Sequence, residues 1–338
     1  MSVVIDVLEN EIRKRYPGIL EILIKDQTTG NNILWATDNY SNKGRSYYFN
    51  STISVELITG KNGQLIKPRV QKDKELQRSR SRTMAEVFTP SWICNTQNNI
   101  IDNSWFERDN VFNSEYKDTH GKQYWQVNPQ IITFPENKNW RDYILDRRLE
   151  MACGEGPYIT SRYDTTTGDY IEIPDRIGII DRKLRVVNEN VDVDTDWLTA
   201  VEDAYKSTYA FEWQGDSLLL AREAMLMTFI ENFTLKFEKE PSLESIKSIA
   251  EIISWNIWQM DGIKGVVPNT CSEIEESSIN LFGEKEIRKS GCIGCKQEDI
   301  FKHNGTYTII KDWTLNITKS AVPGKKIRFI DLLKKHRK

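Results

Sequence analysis

The 338 residues are 39% hydrophobic with a formal net charge of −3, enough to bury a full α/β core plus smaller appendages, and without the concentrated positive footprint that would make a global case for nucleic-acid binding. No apolar stretch reaches transmembrane length, and Met1 to Glu11 turns acidic early instead of running basic then apolar, so a cytoplasmic protein with no membrane contact is expected. Five cysteines, an odd and widely spaced set, argue against a secreted disulfide framework and leave metal binding or free thiols.

In chain order, Ile5, Leu8 and Ile12 fall on one helical face, and Pro17-Gly18 stops that helix. Turn clusters between aromatic and β-branched runs from Thr28 to Asn62 predict a small β-rich piece. A basic stretch follows, with Lys67, Arg69, Lys72, Lys74, Arg78, Arg80 and Arg82 opposed by Asp73 and Glu75. It reads as a solvated linker or as a phosphate contact. Leu145 to Cys153 predicts a strand that runs into Gly154-Glu155-Gly156-Pro157, with a helix starting at Tyr158. A second strand, Ser207 to Trp213, leads through Asp216 as a helix cap into a long helix from Ser217 to Phe237. Pro241-Ser242 starts another helix, ending near Trp255, and Asn256 to Asp261 gives a third strand and its turn. This alternation predicts a doubly wound parallel sheet. Three regions are expected: an α+β N-terminal piece over 1–75, a nucleotide-fold domain over 76–270, and a cysteine-containing segment over 271–338.

Open α/β sheets bind ligands at the carboxyl ends of their strands. Three such ends occur in order. At the first, Gly154 and Gly156 permit close approach to a ligand and Glu150 can orient a charged amino group. At the second, Glu212 suits a ribose diol, with Asp181 as its rival. At the third, Asp261 can accept from the amine of an adenine ring. The plainer readings are a glycine turn, a solvated strand-end carboxylate and an Asp-Gly turn.

These residues resemble the Rossmann-fold N6-adenine DNA methyltransferases that serve as modification subunits of restriction systems. Ala85-Glu86-Val87-Phe88-Thr89-Pro90 resembles the N-terminal element whose aromatic lines the cofactor pocket, and Leu149 to Gly156 the glycine motif. Phe211-Glu212 with Leu219-Leu220-Ala221-Arg222 resembles the ribose-binding strand and helix, and Asn256 to Gly262 the adenine-binding motif. The resemblance implies a class I methyltransferase sheet, S-adenosylmethionine as cofactor, and methyl transfer to adenine in double-stranded DNA. It assigns cofactor contacts to Phe88, Thr89, Pro90, Glu150, Ala152, Cys153, Gly154, Gly156, Glu212, Trp213, Asp261 and Gly262. The family's catalytic Asn/Asp-Pro-Pro-Tyr/Phe loop is missing, for the sequence has no Pro-Pro dipeptide. Ile327 to Leu333 resembles the segment shortly before that loop. A split enzyme is therefore expected, its sheet incomplete until a second chain brings the catalytic loop and target recognition. The alternatives are a non-catalytic DNA-binding or assembly module of a restriction or phage-defence complex, and a methyltransferase acting on RNA or protein.

Cys292-Ile293-Gly294-Cys295, with Cys271 upstream and His303 downstream, has the ligand types of a structural zinc site; the alternative is reduced surface thiols. Arg78, Arg80 and Arg82 are candidate DNA contacts, as are the basic residues of the tail, Lys334 to Lys338. Cys94 and Cys153 read as buried small hydrophobes, and Trp255 or Trp258 as a wall of the cofactor pocket.

Overall fold

Ile12 turns inward from α1 (Glu9–Arg15), and the helix ends at Tyr16, one residue before Pro17. Gly18, at φ 84°, leads into α2 (Ile19–Leu23). The computed structural model describes residues 5–84, 86–279, 285–314 and 324–334; Ala85 and the expected basic tail at 335–338 lie outside the described residues. The predicted strands between Thr28 and Asn62 do not form. This stretch has isolated bridges, Lys25 with Asn32 and Leu34 with Thr52, with short 3-10 turns and α3 (Val55–Ile58). Its Ile33, Trp35, Ile53 and Ile58 are buried in the main core. The Gln259 side chain accepts from the Leu34 N–H and donates to its carbonyl, which gives the backbone the partners a strand would have supplied.

The basic stretch is a 3-10 turn at Arg69–Gln71 and then, from Lys74 on, a helix, α4 (Lys74–Met84), followed by α5 (Ser91–Phe106), the antiparallel pair β1 (Asn113–Lys117) and β2 (Gln123–Val127), and α6 (Trp140–Leu145). The three predicted strands then appear as β3 (Arg148–Met151), β4 (Thr208–Glu212) and β5 (Ile257–Gln259), a parallel sheet in the order β3-β4-β5. Between β3 and β4 run α7 (Ile179–Asn190) and α8 (Asp194–Lys206); between β4 and β5 run α9 (Gly215–Phe237) and α10 (Leu243–Asn256). The chain is thus mixed α/β around a parallel three-stranded sheet. Ser242 caps α10 by accepting the Ser245 N–H.

Two local predictions fail. No helix starts at Tyr158: the Tyr158 and Ile159 N–H groups donate to Glu150, and farther on Thr166 and Thr167 donate to Asp164, whose side chain takes amides that a helix continuing from Tyr158 would use. The helix begins 21 residues later, at Ile179. Asp216 is not the cap of α9; Gln214 holds that position, and Asp216 lies in the first turn with its carboxylate turned to Arg80.

Residues alternate across the sheet. Ala210 and Ile257 face the main core, which also takes buried residues of α1, α2 and α7–α10. Phe211, Trp258 and Met260 face the opposite way, against Ile310. That second face is covered by C-terminal elements. After β6 (Ile274–Ile279), β7 (Lys285–Ser290) and α11 (Ile293–Gln297) come β8 (Ile309–Asp312) and β9 (Lys325–Arg328), paired antiparallel, and α12 (Phe329–Lys334), whose Phe329 lies 5.4 Å from the Trp258 ring. Coverage is incomplete over β3, where Leu149 is 44% and Met151 71% exposed. Among the described residues β3 pairs with β4 alone. Buried Arg222 of α9 donates to the carbonyls of Leu23, Lys25, Ser254 and Ile257, tying the N-terminal segment to α10 and β5. Among the described residues no helix is long and apolar enough to cross a membrane.

Candidate functional site

Two adjoining cavities, about 260 and 910 Å³, lie at the carboxyl ends of β3, β4 and β5 and share Ala152, Glu212 and Gln214 in their walls. The chain leaves β3 abruptly. Ala152 sits at φ 52°, a conformation that strains a residue bearing a Cβ, and Gly154 and Gly156 follow at 55° and 76°. A side chain at Gly154 would come within 3.3 Å of the Phe88 ring, and one at Gly156 within 3.4 Å of Ala221 on α9. The glycine motif is therefore threaded between Phe88 and the long helix, with its backbone open to the smaller cavity.

Glu150 and Glu212 line that cavity from neighbouring strands. Burial pushes the Glu150 carboxyl up to about 8 against the pull of the Tyr158 and Ile159 N–H groups, and nearby Glu212 pushes it the same way. Burial also raises Glu212, whose two oxygens accept the Gly154 N–H at 2.8 Å and the Gln214 N–H at 3.0 Å. One carboxyl thus ties the glycine turn of β3 to the start of α9. Phe88 and Thr89 close the smaller cavity, and the Arg69 guanidinium stacks 5.4 Å above the Phe88 ring. Pro90 sits behind them as the residue before α5.

Trp213, Asp261 and Gly262 line the larger cavity with Phe211 and Met260. Asp261 is engaged in its own turn: Oδ1 accepts the Ile263 and Lys264 N–H groups, and Oδ2 pairs with the Lys264 ammonium at 3.2 Å. Asp181, the rival ribose acid, lies away from the strand ends, where its carboxylate accepts from the Ser161 and Gly178 N–H groups and fixes the start of α7. Trp255 and Trp258 are buried, Trp258 against Phe211 and Phe329, and neither lines the cavities. Cys94 and Cys153 are buried thiols, as expected; Cys153 also lines the smaller cavity.

The three arginines part company. Arg80 is 1% exposed and binds Glu86 and Asp216 at 2.5 and 2.8 Å, so it is not a phosphate contact; Arg78 and Arg82 are exposed. Lys72 joins Asp216 at 3.5 Å and the Gln214 amide donates to Glu86 at 3.3 Å, completing a buried charged network that holds α4 against α9 beside the smaller cavity. Arg80 and Lys72 hold the Asp216 carboxyl well below the usual range, despite burial. Glu86, Gln214 and Ser217 line the cavity and were not singled out from sequence. Glu86 lay within the Phe-Thr-Pro element, and its charge was the available signal.

No protein-family model, curated protein or solved structure matches this chain.

Cys271, Cys292, Cys295 and His303, distant in sequence, converge with their ligand atoms within 4.8 Å of one another and can hold a metal ion.

Proposed function

We propose that the chain is the S-adenosylmethionine-binding part of an adenine-N6 DNA methyltransferase with a Rossmann-like class I sheet, and that polypeptide outside these 338 residues supplies the catalytic loop, as a second chain in the split form. The observation that carries this reading is the convergence of Glu150, Glu212 and Asp261, at the ends of three adjacent parallel strands and in chain order, on two adjoining cavities. Ligands of open α/β sheets bind at such strand ends. The larger cavity falls in the range of small-molecule sites, about 300–1,000 Å³. The donor set suits the cofactor: carboxylates for its amino group and ribose hydroxyls, an aromatic ring in Phe88, and exposed backbone at Gly154. Glu150 would hold the amino group, Glu212 the ribose, and Asp261 the adenine amine, with Gly156, Ala152, Cys153, Trp213 and Gly262 shaping the walls. When bound, the cofactor supplies an electrophilic methyl group for the exocyclic amine of a flipped adenine. This chain's residues bind and orient it.

The uncovered strand supports the missing half. A parallel edge that is unpaired among the described residues and carries exposed Leu149 and Met151 is a liability in an isolated protein. Leu149 also shares a groove of about 220 Å³ with Ile310, Phe329 and Leu332, so the edge and α12 offer one continuous apolar surface to further strands and helices.

Asp261, with both oxygens satisfied inside its own turn, favours a second reading, a non-catalytic DNA-binding or assembly module that keeps the fold. Calorimetric titration with S-adenosylmethionine separates the two. The proposal expects binding that Glu212→Gln and Asp261→Ala each weaken about tenfold or more, since a hydrogen bond to a charged group contributes about 1.5–3 kcal/mol. Absence of binding both to the chain and to its complex with the catalytic-loop polypeptide would leave the module.

A further inference from the structure

We infer that Cys271, Cys292, Cys295 and His303 form a tetrahedral structural zinc site, and that this site fixes the turn carrying Asp261. The geometry is specific. Sγ of each of the three cysteines lies 3.6 Å from Nδ1 of His303. Tetrahedral zinc, with Zn–S of about 2.3 Å and Zn–N of about 2.0–2.1 Å, holds bound sulfur and nitrogen about 3.6 Å apart. The three thiols match that spacing to one ring nitrogen, and all four ligand atoms lie within 4.8 Å of one another, so a neutral imidazole bound through Nδ1 would complete the fourth corner.

The backbone is cut to this cluster. A Cβ on Gly294, inside the Cys-Ile-Gly-Cys knuckle, would lie 2.5 Å from the His303 backbone nitrogen and 2.7 Å from its Nδ1, and one on Gly305 would lie 3.1 Å from Sγ of Cys271. Both positions are shaped by close approach of ligand-bearing segments. The Asn304 N–H donates to Sγ of Cys292 at 3.3 Å, an outer hydrogen bond of the kind that steadies metal thiolates. Three thiolates and a neutral histidine around Zn²⁺ leave a net charge of −1, and the Lys264 ammonium lies in the field of Cys271 and Cys295. The chain around the knuckle is mostly exposed, so little apolar burial holds it.

From the cluster, short links run to the larger cavity. The His303 N–H donates to the Tyr307 hydroxyl, Tyr307 bridges to Val266, and Val266 bridges to Asp261. Val267 donates to the Thr306 carbonyl and Thr308 to that of Gly265. Lys264, in the field of Cys271 and Cys295, is ion-paired with Asp261. Zinc at the cluster therefore holds a wall of the cavity in place while making no contact with whatever fills it. No coordination position is left open for catalysis.

The test is metal analysis of the full chain purified under reducing conditions from zinc-replete cells, together with cobalt titration of the metal-stripped chain. One zinc per chain is expected, and cobalt should give the thiolate charge-transfer and intense visible bands of a tetrahedral sulfur-rich site. Cys292→Ser, His303→Ala and Gly294→Ala should lose stoichiometric metal, whereas His303→Cys should keep it, because four thiolates also make a tetrahedral zinc site. In the wild-type chain, chelation should speed amide hydrogen exchange at Gly265 and Val267. Substoichiometric zinc with no tetrahedral cobalt spectrum would overturn the site, a result that does not depend on any variant folding. Full metal loss with unchanged exchange at Gly265 and Val267 would overturn the coupling to the Asp261 turn.

Discussion

Replacing Arg80 with alanine strips Asp216 and Glu86 of a buried cation, and breaking such a network costs about 3–5 kcal/mol. Urea denaturation should read that loss, while Arg78→Ala and Arg82→Ala, on the exposed side of α4, should change stability by about 0.5 kcal/mol at most. The exposed pair is where DNA contact can be sought. If both arginines meet phosphates, the double variant lowers the slope of log affinity against log salt by roughly 2; an unchanged slope removes α4 from the DNA surface. Glu150 gives a prediction in pH. With its carboxyl near 8, the free site is mostly protonated at neutral pH, and binding an ammonium group there draws the proton off. Affinity for S-adenosylmethionine should rise as pH goes from 6 towards about 8 and then fall as the ligand's own α-amino group, with a pKa of about 7.7–8.0, loses its proton. Calorimetry at pH 7 should show buffer-dependent heat from proton release, which Glu150→Gln abolishes.

Among the elements, β3 carries the opposing demands. Arg148 and Glu150 point to the buried face, where Arg148 pairs with Asp102 and Asp146, while Leu149 and Met151 point outward. Exchanging Leu149, which lines the outer groove and neither cavity, for lysine should leave cofactor binding near its original level, raise solubility and abolish assembly with the catalytic-loop polypeptide in co-purification. Retained assembly would move that interface elsewhere. The strand itself was legible in the sequence, as were β4, β5, α9 and α10, because each is a run of the right period closed by glycine, proline or a capping serine. The failed helix at Tyr158 shows the limit of such reading. Asp164 takes the Thr166 and Thr167 amides that a continuing helix would need, and a competition between side chain and backbone leaves no periodic mark.

For the whole molecule, legibility fell with the distance between partners. The glycine turn, Glu212 and the Cys-x-x-Cys knuckle are local patterns and were singled out at once. The Arg80–Asp216 pair joins residues 136 positions apart and was read instead as a DNA contact and a helix cap. Asp181 and Asp261 were both read as ligand groups, yet each also secures its own backbone turn, a duty that neighbouring N–H groups create and residue identity alone does not announce. The β-rich reading of Thr28 to Asn62 failed for a related reason. Apolar side chains there serve a core shared with α9 and α10, and Gln259 supplies hydrogen bonds that a local strand would otherwise need.

Arg222 sets an order of events during synthesis. The carbonyls of Leu23 and Lys25 emerge from the ribosome about 200 residues before the guanidinium that binds them, and the Ser254 and Ile257 carbonyls that complete its shell come later still. Contacts so far apart in sequence slow folding, because the intervening chain must first be ordered. The opening 60 residues, with Trp35, Ile53 and Ile58 destined for a core that does not yet exist, must wait as a largely unburied tether. The nascent chain is thus most exposed to chaperones and proteases before β5 is made, and addition of that strand to the sheet is also the step that captures the segment around Leu23 and Lys25.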